Sequence, residues 1–272
     1  MPPLQSRPSL HEANIGHKAI GSASAPPITA TLDEPALRSR AAAIAQRVIL
    51  GAALLACLAA AAPSGTTAPL PDLFNGRDLS GWVVEGTGQY NDGDETRPVW
   101  SVKEGILTCA GKGFGFLRYD KEVSDFLFHA EYRLSPKGNS GIGIRTVRYV
   151  GSFETRPSMA AYEIQLLDDA GKPPNTHSTG SLYRYVAPTA NPVKPAPQWN
   201  TIEVECVGPR IRITINGQRV QDVDQTAVST IKNKPLRGFV CLQNHGKSIE
   251  FRNVRLKKLT SSDAPAKPTA GR

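Results

Sequence analysis

Aromatic residues are scarce, at 7% of 272 residues, and the longest uncharged apolar run, residues 48–62, spans fifteen positions. A membrane-crossing helix needs about 20, so the chain is not a multi-span membrane protein. No segment sustains a 3.6-residue apolar period, which excludes a helical bundle. Four cysteines fall without any CxxC spacing, so neither a zinc site nor a disulfide framework is signalled; Cys109, Cys206 and Cys241 sit in apolar, strand-like stretches and read as buried free thiols. Although the formal charge is +8, residues 1–62 hold five basic and three acidic side chains, and the remaining +6 is scattered over 210 residues. Backbone binding to nucleic acid needs clustered Lys and Arg, so no nucleic-acid partner is expected. Nucleotide-binding glycine motifs, a serine nucleophile elbow and His-rich metal spacing are all missing, so no cofactor is expected. The acidic stretch 91–95 fits no complete calcium loop and reads as a solvated turn, with a structural calcium ion as the alternative.

What is abundant is punctuation. Twenty-four Gly and 22 Pro make up 17% of the chain, too many for long helices and short of a low-complexity sequence. Residues 1–36 are polar, rich in Pro, Ser and Ala and without periodicity; they read as disordered or as absent from the mature protein, with translation starting near Leu37. Arg38, Arg40 and Arg47 then precede the apolar run, and Pro63-Ser64-Gly65 follows it. A basic region, an apolar core and a small-residue exit make residues 37–68 an export signal, or alternatively an N-terminal membrane anchor. Leu54-Leu55-Ala56-Cys57 resembles a lipoprotein box, although the apolar run continues past it. The expected location is periplasmic or secreted. Residues 69–260 form the folded domain, and 261–272 a disordered tail.

Within the domain the dominant period is two. Phe126, Phe128, Ala130, Tyr132 and Leu134 alternate with more polar neighbours, as do Ile202, Val204 and Cys206, and Ile211, Ile213 and Ile215. Asn216-Gly217 follows as a two-residue hairpin turn, because both residues accept positive φ. Further strands are expected at 81–84, 99–102, 106–109, 116–119, 141–146, 162–167, 181–186, 238–243 and 249–256. A dozen short antiparallel strands imply an all-β fold, two packed sheets forming a jelly-roll β-sandwich.

Tyr162-Glu163-Ile164-Gln165-Leu166-Leu167-Asp168 is the stretch suited to chemistry. Glu163 and Gln165 share a face, and a bulge at Leu166-Leu167 would bring Asp168 round to join them. Two strand-borne acids suit sugar chemistry, one moving a proton while the other stabilises charge. Arg145 ends the alternating stretch Gly141-Ile142-Gly143-Ile144, whose glycines would let a sugar approach. His245 follows an apolar strand in a Gly-bounded turn, and Asn139 lies between Gly138 and Ser140. Tyr183, Tyr185, Trp199 and Tyr162 are candidate sugar-stacking rings, whereas Trp82, Trp100 and Trp199 also fit a core.

Leu73-Phe74-Asn75-Gly76-Arg77-Asp78-Leu79-Ser80-Gly81-Trp82, Trp100-Ser101-Val102-Lys103-Glu104-Gly105, Asn139-Ser140-Gly141, Tyr162 to Asp168, Gly180-Ser181-Leu182-Tyr183, Trp199-Asn200-Thr201, Asn216-Gly217 and Leu242-Gln243-Asn244-His245-Gly246 occur in this order. In these motifs the chain resembles the 3-keto-disaccharide hydrolase domain family over residues 73–259, with Asn244 and Ser181 where the family commonly has Asp and Ala. The resemblance implies a concanavalin- or laminin-G-like jelly roll, export, and cleavage of glycosides whose glucose ring is oxidised at C3. A C3 ketone acidifies the C2 proton, so a carboxylate, Glu163 or Asp168, removes it, the C1 oxygen leaves, and water adds to the enone. Arg145, Gln165 or His245 would face the C3 oxygen, with Asn139, Gln243 and Tyr183 binding the sugar. An oxidoreductase that makes the keto-sugar is the implied partner. The rival reading is a non-catalytic carbohydrate-binding or envelope adhesion module.

Overall fold

A computed structural model describes residues 70–260. The export-signal reading, Cys57 and the C-terminal tail lie outside the described residues. Among the described residues fourteen strands are formed: β1 (Trp82–Gly86), β2 (Gln89–Asp92), β3 (Glu95–Pro98), β4 (Trp100–Lys103), β5 (Ile106–Cys109), β6 (Gly115–Tyr119), β7 (Phe126–Leu134), β8 (Asn139–Thr146), β9 (Tyr162–Leu167), β10 (Asn200–Val207), β11 (Arg210–Ile215), β12 (Gln218–Asp224), β13 (Phe239–Asn244) and β14 (Ile249–Lys258). A short helix among the described residues, α1 (Pro157–Ala160), starts on a proline, whose missing N–H costs nothing at a helix N-terminus.

The strands form a seven-stranded sheet in the order β12-β11-β10-β7-β14-β5-β4 and a five-stranded sheet in the order β1-β6-β13-β8-β9, with β2 and β3 as a separate hairpin. Inner faces of both sheets contribute to one apolar core, as the sandwich requires. In the seven-stranded sheet the pattern is strict. Phe126, Phe128, Ala130, Tyr132 and Leu134 are buried while the residues between them are half-buried. Its outer face carries ion pairs across neighbouring strands, among them Arg133 with Glu250 and Arg252 with Glu131. The turn at Asn216-Gly217 has φ values of 49° and 79°, and Ile215 pairs Gln218 across it.

The five-stranded sheet does not alternate between buried and exposed. β13 is buried at all six positions and β8 at seven of eight, because side chains on its outer face are covered as well. The cover comes from the segment between β8 and β9, which includes α1; the sheet is also extended at its β9 edge by residues 180–183. These residues pair with β9 through Tyr183 N–H to Glu163 C=O (2.8 Å) and Gly180 N–H to Gln165 C=O (2.9 Å). The stretch 181–186, expected as a strand, makes only isolated bridges at Leu182. Conversely, stretch 91–95 is the tip of the β2–β3 hairpin, which the sequence pattern did not show, and Arg97 pairs its Asp92 and Glu95. Among the described residues no cluster of three or more His, Cys, Asp or Glu assembles.

Candidate active site

β9 alternates without interruption. Tyr162, Ile164 and Leu166 enter the core, so Glu163 and Gln165 project from the outer face of the five-stranded sheet. There they line an open cavity of about 150 Å³ with Phe114, Asn139, Phe153, Arg156, Ser158, Tyr183, Arg184, Gln243 and His245. Adjacent strands supply the floor: Asn139 begins β8, and Gln243 sits near the end of β13, on the other side of β8.

Glu163 is 6% exposed. Burial pushes its carboxyl up to about 7; hydrogen bonds from Gln243 and Ser158 and the positive charge of Arg156 pull the other way without cancelling that effect. Its room is made by Gly141 on the neighbouring strand, where an added Cβ would lie 2.9 Å from Glu163 Cγ and 3.1 Å from Oε1. The glycine therefore admits the acid itself rather than a sugar. From Glu163's neighbour a polar chain runs outward: Gln165 Nε2 donates to Asn139 Oδ1 (3.1 Å), and Asn139 Nδ2 lies 3.4 Å from His245 Nδ1. The His245 ring meets the Phe114 ring edge-on, with centroids 5.6 Å apart.

Two expected site residues are elsewhere. The bulge anticipated at Leu166-Leu167 is absent, since Asn139 to Ile144 pair residue for residue with Leu167 to Tyr162. Asp168 consequently leaves the strand away from the cleft, its Oδ2 accepting from Lys137 N–H (2.8 Å) and Oδ1 from Ala196 N–H (3.3 Å). It holds the turn leading into β8, whose left-handed residue is Lys137, φ 58°, while Asn139 is in the strand. The irregularity lies in β8 instead: Phe239 pairs Thr146 but Cys241 pairs Gly143, so β8 carries one extra residue. Arg145, φ 54°, is the residue turned by it. Strict alternation would have set Arg145 beside Gly141 and Gly143 on the cleft side; the bulge folds it inward. It is fully buried, donating from Nη2 to Ser124 C=O (3.0 Å) and pairing Asp125 at 3.4 Å. It is a structural clasp and cannot face the same substrate as Glu163.

The remaining rings divide. Tyr183 lines the cleft; Tyr185 supports it by donating to Ser158 C=O (2.9 Å). Tyr162 is in the core with Trp82 and Trp100, while Trp199 lies under the Arg133 and Arg252 guanidinium groups of the opposite sheet.

Sequence reasoning missed Arg156, Ser158, Arg184, Phe114 and Phe153. The Arg156 guanidinium sits over Phe114 (4.5 Å) and faces Phe153 (5.3 Å), and its buried Nε has no partner. The signal available was Arg156-Pro157-Ser158, a helix start placed just before the strand that bears Glu163.

The outer face of the five-stranded sheet thus gathers one carboxylate of raised proton affinity, two arginines and a histidine around an open polar cleft, an arrangement suited to moving a proton on a polar substrate. The chain belongs to the family of 3-keto-alpha-glucoside-1,2-lyase-like domains, whose model matches residues 70–257. It is 24% identical over 230 residues to the 3-keto-disaccharide hydrolase of Bacteroides thetaiotaomicron, covering 69% of this chain and 77% of that protein. Two crystal structures from Parabacteroides distasonis, both provisionally named glycosyl hydrolases, share the fold. One superposes with a TM-score of 0.57 at 23% identity, covering 69% of this chain and 93% of the other; the second gives 0.52 at 21%, covering 65% and 99%.

Proposed function

We propose that the protein cleaves glycosides carrying a ketone at C3 of a glucose ring, by elimination followed by hydration, with Glu163 as the base. The carboxylate takes the C2 proton, the electron pair forms the enolate of the C3 ketone, and the enolate re-forms the ketone as the C1–O bond breaks. The departing oxygen takes a proton, leaving a C1=C2 enone. Water then adds at C1 and a proton returns to C2, giving the free 3-keto-sugar.

Each requirement has a candidate on the cleft wall. Arg156, already close enough to act on Glu163 electrostatically, is the donor toward the C3 oxygen, in place of Arg145. Gln165 and Asn139 offer hydroxyl-binding groups, and Asn139 orients His245, which faces the departing oxygen as a proton donor. The observation that carries this reading is Glu163: its proton affinity, raised by burial to about 7, suits a base that must take up and release a proton near neutrality. The family and the Bacteroides relative support the keto-sugar as substrate.

The basic, apolar and small-residue pattern of residues 37–68 supports an exported protein, periplasmic or secreted, or one anchored by that segment. A C3 ketone must also be supplied, so an oxidoreductase acting on the intact glycoside precedes this step. The test is to incubate the protein with a 3-keto-disaccharide and with its unoxidised parent. Release of monosaccharide from the keto form alone supports the proposal. Glu163→Gln should then lower turnover by ~10²–10⁴-fold while preserving binding; a binding module would show no turnover to lose.

A further inference from the structure

Arg184 is the charged cleft residue that the proposed chemistry leaves unused. It is exposed, and its backbone adopts a left-handed conformation, φ 73°, fixed by a hydrogen bond from its N–H to Thr176 C=O (2.8 Å). A side chain that is not glycine occupies that region at a cost, which concentrates such residues at functional sites. Its Nη1 lies 3.0 Å from the Met159 sulfur, a weak acceptor that leaves the positive charge uncompensated. Behind it, Lys234 Nζ donates to the Met159 carbonyl (2.8 Å) and sits over the Tyr185 ring (4.7 Å). The two cations act on one another: burial and the repulsion of Arg184 together hold the Lys234 ammonium below its ordinary pKa. Among the described residues, neither Arg184 nor Lys234 forms an ion pair, and the only carboxylate lining the cleft is Glu163, on which Arg156 acts. Arg184 with Lys234 is thus a second positive centre at the cleft, besides Arg156, and no carboxylate pairs it.

We propose that Arg184, backed by Lys234, binds an oxyanionic substituent, a carboxylate or a sulfate ester, on the half of the substrate that departs. The guanidinium fork suits either group, and both would relieve the repulsion between the cations. Assignment to the departing half rests on the function proposed above, because Glu163 and Arg156 are taken by the oxidised ring.

The test measures binding, so it does not depend on turnover. By calorimetry at low salt, cellobiose is compared with glucosyl-β-1,4-glucuronic acid, and phenyl glucoside with the glucoside whose phenyl ring carries a 4-sulfate ester. The anionic member of at least one pair should bind about tenfold tighter, the range of a charge-assisted hydrogen bond. The gain should shrink in high salt, fall toward parity in Arg184→Met and survive in part in Arg184→Lys. The pair showing the gain identifies the anion. Equal affinities within both pairs, or a gain undiminished in Arg184→Met, would overturn the proposal. If the gain is found while no 3-keto-glycoside is cleaved, the elimination reading fails and the anion subsite stands.

Discussion

Replacing Gly141 with alanine displaces Glu163 without removing any side chain that meets substrate. The new Cβ would lie 2.9 Å from Glu163 Cγ, 3.1 Å from Oε1 and 3.3 Å from Cδ. Carbon atoms prefer separations of about 3.5–4.0 Å, so the carboxyl must retreat by roughly 0.6–1.1 Å. Crowding of this kind typically costs about 1–3 kcal/mol, and a flexible side chain places it at the lower end. Removing a strand glycine returns about 0.5–1 kcal/mol, so the two effects nearly cancel and the melting temperature should barely move. Catalysis should not be spared, since a displacement of about 1 Å at a reacting group can cost ~10²-fold. The assay is kcat on a 3-keto-disaccharide alongside thermal unfolding. Gly143→Ala is the contrast, because its Cβ would meet Cys241 Sγ at 2.5 Å and Pro157 Cγ at 2.8 Å, neighbours that cannot swing aside. There stability should fall. A folded Gly141→Ala variant with unchanged kcat would refute the claim that the position of Glu163 limits the reaction.

Three further outcomes are expected. Glu163 has a higher pKa folded, about 7, than unfolded, 4.5, so the folded state loses stability from this group as pH rises from 4.5 through 7; Glu163→Gln should therefore gain up to about 3 kcal/mol in urea unfolding at pH 8 and little at pH 4. A gain at pH 4 equal to that at pH 8 would contradict this. Arg156→Met removes a charge that favours the carboxylate, so the alkaline-rising limb of kcat/KM should move above 7 while turnover falls by ~10²-fold or more; an unmoved limb would separate Arg156 from Glu163. Arg145→Met should destabilise by about 1–3 kcal/mol, through the orphaned Ser124 carbonyl, and leave turnover of the folded enzyme near wild type; a selective loss of kcat would return Arg145 to the site.

The sandwich was legible because half of it obeys a simple rule. β7, β10 and β11 each bury one face and wet the other, so their period of two is written directly in the sequence. The same alternation put Glu163 and Gln165 on one face; Asn139, Gln243, Tyr183 and His245 were named from the keto-sugar chemistry and the resemblance, and they line the same cleft with β8, β9 and β13 as neighbours. It failed at bulges. One extra residue reverses every side chain beyond it, and no composition signal distinguishes Leu166-Leu167, which is regular, from Ile144-Arg145, which is not. Arg156, Phe153 and Phe114 were hidden for another reason: they arrive from loops and a strand edge, where no periodicity reports which way a side chain points. The β2–β3 hairpin escaped because all but one of its residues are exposed, leaving no apolar alternation to read.

Elimination and direct displacement differ in the fate of the C2 hydrogen, which makes one labelling experiment decisive for the central claim. The 3-keto-disaccharide is cleaved by wild-type protein in D₂O, and the 3-keto-sugar is examined at early times by mass spectrometry and NMR, with an enzyme-free control for spontaneous exchange. Abstraction by Glu163 followed by hydration predicts deuterium at C2 wherever the Glu163 proton exchanges with solvent before it returns, and slower cleavage of the C2-deuterated substrate in either case. Cleavage that leaves protium at C2 and runs equally fast on the C2-deuterated substrate would contradict it.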